Sequence, residues 1–160
     1  MLSQNMIPTC SVMFRRRLLG KPPEWILQLA MGDWPQWVLL AQSGDFGFIN
    51  DTLGVYRIHS RGLWSSKDEL TKAQDNLAAY LAFEKYIDGH SPIVRQNILD
   101  YEHYLTRRHL SLGNSQVARD HLGEYWKRAS LRNARQVIGL VAQVCFPSAY
   151  LVYKRVRHTW

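Results

Sequence analysis

The sequence predicts an α/β first part, residues 1–65, joined to an all-α second part, residues 66–160. Two observations carry this. Before Ser66, short apolar, β-tolerant stretches stand between Pro, Gly and Asn, which is the pattern of strands and turns. From Ser66 onward, apolar residues recur mostly at three- and four-residue spacing, the period of one helix face.

In chain order, Cys10 to Phe14 reads as a strand that ends in the triple arginine Arg15 to Arg17 and leads into a turn or short helix. Lys21-Pro22-Pro23 interrupts the chain. Asp33-Trp34-Pro35 then opens a helix with Trp37, Val38, Leu40 and Ala41 as its apolar residues, and Gly44 is placed to stop it. Phe46 to Ile49 and Gly54 to Ile58 read as two short strands. Ser66-Lys67-Asp68-Glu69 has the form of a capping box with Ser66 at the cap. The helix it opens carries Leu70, Ala73, Leu77, Tyr80, Leu81 and Tyr86 and breaks at Gly89. A second helix runs from Pro92 to about Leu112, before Gly113-Asn114, and a third from Ser115 to about Lys127. The last two helices are separated by Pro147, and short turns throughout make a helical-hairpin lobe.

The composition is that of a folded chain: 160 residues, 46% hydrophobic and 21% charged, enough for a real core and unlike a disordered segment. Cys10 and Cys145 are far apart and fit no metal-ligand spacing, which suits a reducing cytosol. Met1 to Pro8 lacks the basic start and apolar run of a signal peptide. The net charge of +7 is concentrated beyond Glu124, where seven basic residues (Lys127, Arg128, Arg132, Arg135, Lys154, Arg155 and Arg157) meet no acid. Such a tail suits a polyanion or an anionic membrane surface, and suits equally a solvated helix face. The apolar run Gln136 to Tyr153 is short and interrupted by Pro147, so it reads as an interfacial or core helix rather than a span. Nucleic acid is excluded as a partner because no aromatics interleave with the basic residues from 127 to 135.

Three clusters carry the chemistry. Asp33 in Gly32-Asp33-Trp34-Pro35 reads as a helix cap or as a general base, and the two roles are compatible because a cap fixes the carboxylate on a rigid element. In Val55-Tyr56-Arg57-Ile58-His59-Ser60, His59 is a surface residue at a strand end or a metal or phosphate ligand. Pro8 to Arg16 puts small residues before an apolar stretch, which permits close approach by a ligand and equally suits strand packing. No Walker loop, dinucleotide fingerprint, Cys-x-x-Cys or nucleophile elbow occurs in the sequence.

In order, Asn5-x-Ile7-Pro8-Thr9-Cys10-Ser11-Val12-Met13-Phe14-Arg15, Gly32-Asp33-Trp34-Pro35-x-Trp37, Gly44-x-x-Gly47-Phe48-Ile49-Asn50 and Val55-Tyr56-Arg57-x-His59-Ser60 resemble the second half of family 2 glycosyltransferases. The match covers about residues 5 to 65. The resemblance implies the C-terminal, acceptor-side portion of a GT-A nucleotide-diphospho-sugar transferase domain, followed by the helical lobe. It implies that Thr9, Cys10, Ser11 and Trp34 contact the acceptor and that Asp33 is the catalytic base. His59 would be a metal ligand, and Arg57, His59 and Arg61 would hold the diphosphate. The family's usual Glu-Asp pair is Gly32-Asp33 here, a variant that keeps the aspartate. The implied reaction is a single displacement that inverts the anomeric carbon, with a divalent cation (Mg or Mn) neutralising the departing nucleoside diphosphate.

The family's nucleotide-binding half, with its Asp-x-Asp metal motif, is expected before residue 5, and no Asp-x-Asp occurs in the sequence. The chain then reads as a truncation, an internal start or one half of a split enzyme with the N-terminal half on a separate chain. The whole enzyme would transfer sugar from a nucleotide-sugar donor to a glycan or lipid-linked acceptor in polysaccharide or cell-envelope biosynthesis. Its expected place is the cytoplasm, peripheral on the inner face of the membrane. The competing reading is a non-catalytic helical module that docks on a membrane or a partner chain.

Overall fold

The structure, a computed structural model, describes residues 2–88, 92–130 and 133–146. Its described residues form a 3₁₀ turn, Thr9–Ser11, and seven helices: α1 (Arg16–Leu19), α2 (Glu24–Leu27), α3 (Asp33–Ala41), α4 (Glu69–Tyr86), α5 (Pro92–Ser111), α6 (Ser115–Arg128) and α7 (Ala134–Cys145). No strand occurs among the described residues. The α/β expectation for residues 1–65 is therefore corrected, and with it the GT-A sheet that the resemblance implied.

The cause is visible at each expected strand. Pro8 is itself extended, with φ −64° and ψ 135°, and the chain turns over Thr9–Ser11, where Ser11 sends both its backbone N–H (2.9 Å) and its hydroxyl (2.8 Å) back to the Pro8 carbonyl. That closes a 3₁₀ turn where Cys10 to Phe14 was expected to run straight. From 44 to 58 the one backbone hydrogen bond is local, Asp51 N–H to the Ile49 carbonyl at 2.9 Å. A strand exists only as a member of a ladder, with a neighbour 4.7–4.9 Å away. Among the described residues they have no such neighbour. Their apolar side chains stand in solvent, with Phe48 88% and Val55 86% exposed.

The chain divides into two compact units, Met1–Val94 and Arg95–Trp160, so α4 belongs to the first. That unit is organised on α3. Its period puts Trp34, Trp37, Val38 and Leu40 inside, all buried. Trp34 meets the rings of Tyr80 and Phe83 edge-on, each at 5.0 Å. The Tyr80 hydroxyl donates to the Ser3 carbonyl at 2.6 Å and ties the first residues to α4. Trp25 of α2 stacks on Tyr86 at 5.3 Å, nearly parallel at 8°. Helix α4 begins two residues later than the capping-box reading placed it. Its cap is Asp68, whose carboxylate takes the Thr71 N–H at 3.0 Å and hydroxyl at 2.8 Å, bonds that hold the Asp68 carboxyl below its ordinary value.

In the second unit α6 packs against α7. The turn before α6 is made by Gly113, whose φ of +78° is the left-handed conformation that favours glycine. Leu99, Leu122, Tyr125, Val137, Leu140 and Val144 form one core. The carbonyl of Arg128 at the end of α6 accepts from the Arg95 guanidinium at 2.8 Å. The break expected at Gly89 and everything from Pro147 on lie outside the described residues.

Candidate functional site

Three connections place the Thr9 turn beside α3. α1 packs against α3. Phe14, just past the turn, meets Trp37 of α3 edge-on at 5.6 Å. The Thr9 hydroxyl then donates to Asp33 Oδ2 at 2.7 Å, across 24 residues of sequence. The cap of α3 is Gly32, which has no side chain to offer, and Asp33 is the first helical residue. Its second oxygen, Oδ1, accepts the backbone N–H of Trp34 at 2.8 Å. Asp33 thus sits where the positive end of the helix dipole favours a carboxylate. It is held from two sides by hydrogen bonds, and it is only partly buried. Each carboxylate oxygen keeps accepting capacity beyond the bond it makes. Chemically the arrangement is an oriented carboxylate within reach of solvent and flanked by small polar side chains.

Gly54 joins the third cluster to this place. A Cβ at Gly54 would stand 3.0 Å from the Cys10 carbonyl oxygen, so the start of the 54–58 segment lies directly over the Thr9–Ser11 turn. A side chain there would require one backbone to give by a few tenths of an ångström.

The remaining expected site residues fall as follows. Cys10 and Ser11 are exposed on the turn. Trp34, expected at the acceptor, is 2% exposed and committed to the core. Arg57, His59 and Arg61 are exposed, and their side chains make no hydrogen bond or ion pair among the described residues. The His59 carbonyl, rather than its ring, is engaged: it accepts the Ser65 hydroxyl at 2.7 Å and the Gly62 N–H at 3.1 Å, which folds 59–66 into successive turns. Among the described residues no three His, Cys, Asp or Glu side chains come together to hold a metal ion. His59 belongs to no such group among the described residues.

The basic tail is partly accounted for inside the second unit. Glu124, the last acid of the chain, takes Lys127 at 2.6 Å and Arg128 at 2.9 Å, and these bonds hold its carboxyl below the ordinary value. Of the apolar run that reads as an interfacial or core helix, Val137, Leu140 and Val144 are buried in the core with Leu99, Leu122 and Tyr125. No described helix is long and apolar enough to cross a membrane. Arg132, Lys154, Arg155 and Arg157, with Tyr153 and Trp160, lie outside the described residues.

One polar cluster escaped the sequence reading. Glu102, Thr106 and His109 are all buried on α5, and His121 of α6 places Nδ1 2.7 Å from Glu102 Oε2. The signal was present: Glu102, Thr106 and His109 fall four and three residues apart, on the same stripe as Ile98, Leu99 and Leu105. Polar residues on an apolar stripe mark a buried network.

No family model, no curated protein and no solved structure matches the chain.

Proposed function

We propose that the chain is the acceptor-side, base-bearing part of an inverting sugar transferase of the family 2 type, with Asp33 as the general base. The observation that carries this reading is the Thr9–Asp33 hydrogen bond at 2.7 Å, which joins two of the motifs on which the resemblance rests. A general base must present an oriented carboxylate within hydrogen-bond reach of the hydroxyl it deprotonates. Fixing the carboxylate at the first turn of a helix whose far side is locked by Trp34 and Trp37 meets that requirement. An acceptor hydroxyl bonded to Asp33 would lose its proton as its oxygen attacks the anomeric carbon. The nucleoside diphosphate would depart from the opposite face.

The donor side is not provided by these residues. No Asp-x-Asp occurs in the sequence, and Arg57, His59 and Arg61 are exposed and make no side-chain bond among the described residues. The exposed apolar residues of 46–58 fit a segment that another polypeptide covers in the working protein. The chain by itself is therefore expected to release no nucleoside diphosphate from any nucleotide sugar, with or without Mg or Mn. Release above a no-enzyme control would show that the site is complete and this reading of it wrong.

A further inference from the structure

We propose that the stacked imidazoles of His109 and His121, one bonded to Glu102 and the other bonded to nothing, make the α5–α6 hairpin a proton-sensitive latch that loosens on acidification.

The two rings lie nearly parallel, 14° apart in plane, with centroids at 5.6 Å. His121 has the Glu102 carboxylate at 2.7 Å, and that carboxylate is buried, its side chain 3% exposed. His109 is 6% exposed, and both its ring nitrogens are buried without a hydrogen-bond partner. A neutral imidazole in that position leaves one donor and one acceptor unmet. A protonated one leaves two donors and a charge. The residue also sits at the joint of the hairpin, because its own carbonyl accepts the Asn114 N–H at 2.9 Å, where α5 ends and the chain turns into α6.

The groups around His109 offer a proton no compensation. On α6 the facing group is His121, which adds positive charge whenever it is protonated. Asp120, next to His121 in the sequence, is exposed and accepts from Gln116 at 3.0 Å. On α5, Glu102 is committed to His121, and Arg107 and Arg108, the residues before His109 in the sequence, are exposed to solvent. Among the described residues the remaining helix of the unit, α7, has Arg135 and Cys145 as its titratable residues and no carboxylate. The carbonyls at the end of α5 would favour a cation. Those of Arg108, His109 and Leu110 are already taken by the N–H groups of residues 112 to 114.

Burial first and His121 second pull the His109 imidazole below its ordinary value of 6.5. The unfolded chain therefore binds this proton more readily than the folded one. The stabilisation from keeping His109 neutral is complete above about pH 6.5, the unfolded value. It is lost as the pH falls from there towards the lower value that His109 has when folded.

Urea unfolding of the full chain, followed by circular dichroism between pH 8 and pH 5, tests this. His103, which burial and then Arg107 also pull down, is replaced by Gln throughout so that its contribution drops out. With His109 present, the unfolding equilibrium constant should rise below about pH 6.5 by up to about tenfold per pH unit, the limit for one proton. His109→Phe keeps a flat ring against His121 and should remove that rise. Equal slopes with and without His109 overturn the latch. If the Phe variant does not fold, the unsubstituted chain decides by NMR. Protonation of the His109 ring accompanied by faster amide exchange in α5 and α6 supports the latch, and protonation with unchanged exchange overturns it.

Discussion

With Asp33 changed to Asn, sugar transfer by the assembled enzyme is expected to fall by about 10²–10⁴-fold, the usual cost of removing a general base. The substitution is chosen because the structure separates the chemical role from the structural one. Gly32, not Asp33, caps α3, so no cap is lost. Asp33 uses one oxygen for Thr9 and the other for the Trp34 N–H. The carboxamide oxygen can keep the Trp34 N–H while its NH₂ donates to the Thr9 hydroxyl, so at most one bond is weakened. A single exposed or half-exposed hydrogen bond is worth about 0.5–1.5 kcal/mol, which the fold tolerates. Thr9→Val provides the contrast. It removes the tether and leaves the base, so its transfer rate should drop far less than that of Asp33→Asn. Transfer measured by nucleoside diphosphate release at saturating acceptor reads both. If Asp33→Asn keeps more than about a tenth of the rate, outside the range for a general base, the carboxylate is structural only.

The second large effect concerns stability. Trp34→Ala is expected to destabilise the first unit by about 3–5 kcal/mol, the cost of emptying a buried aromatic site. Trp34 is 2% exposed and meets Tyr80 and Phe83 edge-on, so its removal strips both partners of their contact. Small domains have only about 5–15 kcal/mol in total, so the loss is a large share of the whole. Trp34→Phe, which keeps an aromatic ring, should lose less. Chemical denaturation followed by far-ultraviolet circular dichroism reads the change. An acceptor-binding tryptophan on the surface would behave differently, with a raised KM for acceptor and a stability change inside about 0.5 kcal/mol. That outcome would return Trp34 to the role its motif implied and remove it from the core.

What the sequence made legible follows from which signals are local. Helix α3 opens at Asp33-Trp34-Pro35 and ends before Gly44 as expected, with Gly32 rather than Asp33 as its cap, because Asp-x-Pro and Gly44 are signals that act within a turn of the chain. Pro92, Gly113-Asn114 and Ser115 bound α5 and α6 for the same reason. The start of α4 shifted because Ser66 and Asp68 are both good caps, and the choice fell to the one whose carboxylate meets Thr71. The strands were misread because a short apolar, β-tolerant stretch between turn residues, such as Phe46 to Ile49 or Gly54 to Ile58, records only a local preference. It says nothing about whether a neighbouring strand is there to be paired with, and among the described residues none is. The Thr9–Asp33 bond spans 24 residues and depends on Phe14 settling against Trp37, a packing event that no local pattern encodes. The resemblance brought both residues into one list of candidates, and the fold put them in contact. For Trp34 the two diverge. Trp34 carries the motif as the residue after Asp33, but its position on the buried stripe of α3 decides where its ring goes.

The most direct test of the account is reconstitution of transfer. The chain is mixed or co-expressed with a nucleotide-binding half that carries Asp-x-Asp, and nucleoside diphosphate release from a nucleotide sugar is followed in the presence of Mg or Mn. The account predicts no transfer by either part alone, transfer by the pair, and loss of that transfer when Asp33 is Asn. A pair that associates stably yet consumes no more nucleotide sugar than the nucleotide-binding half alone would contradict it, and the helical chain would then be a docking module rather than the bearer of the base.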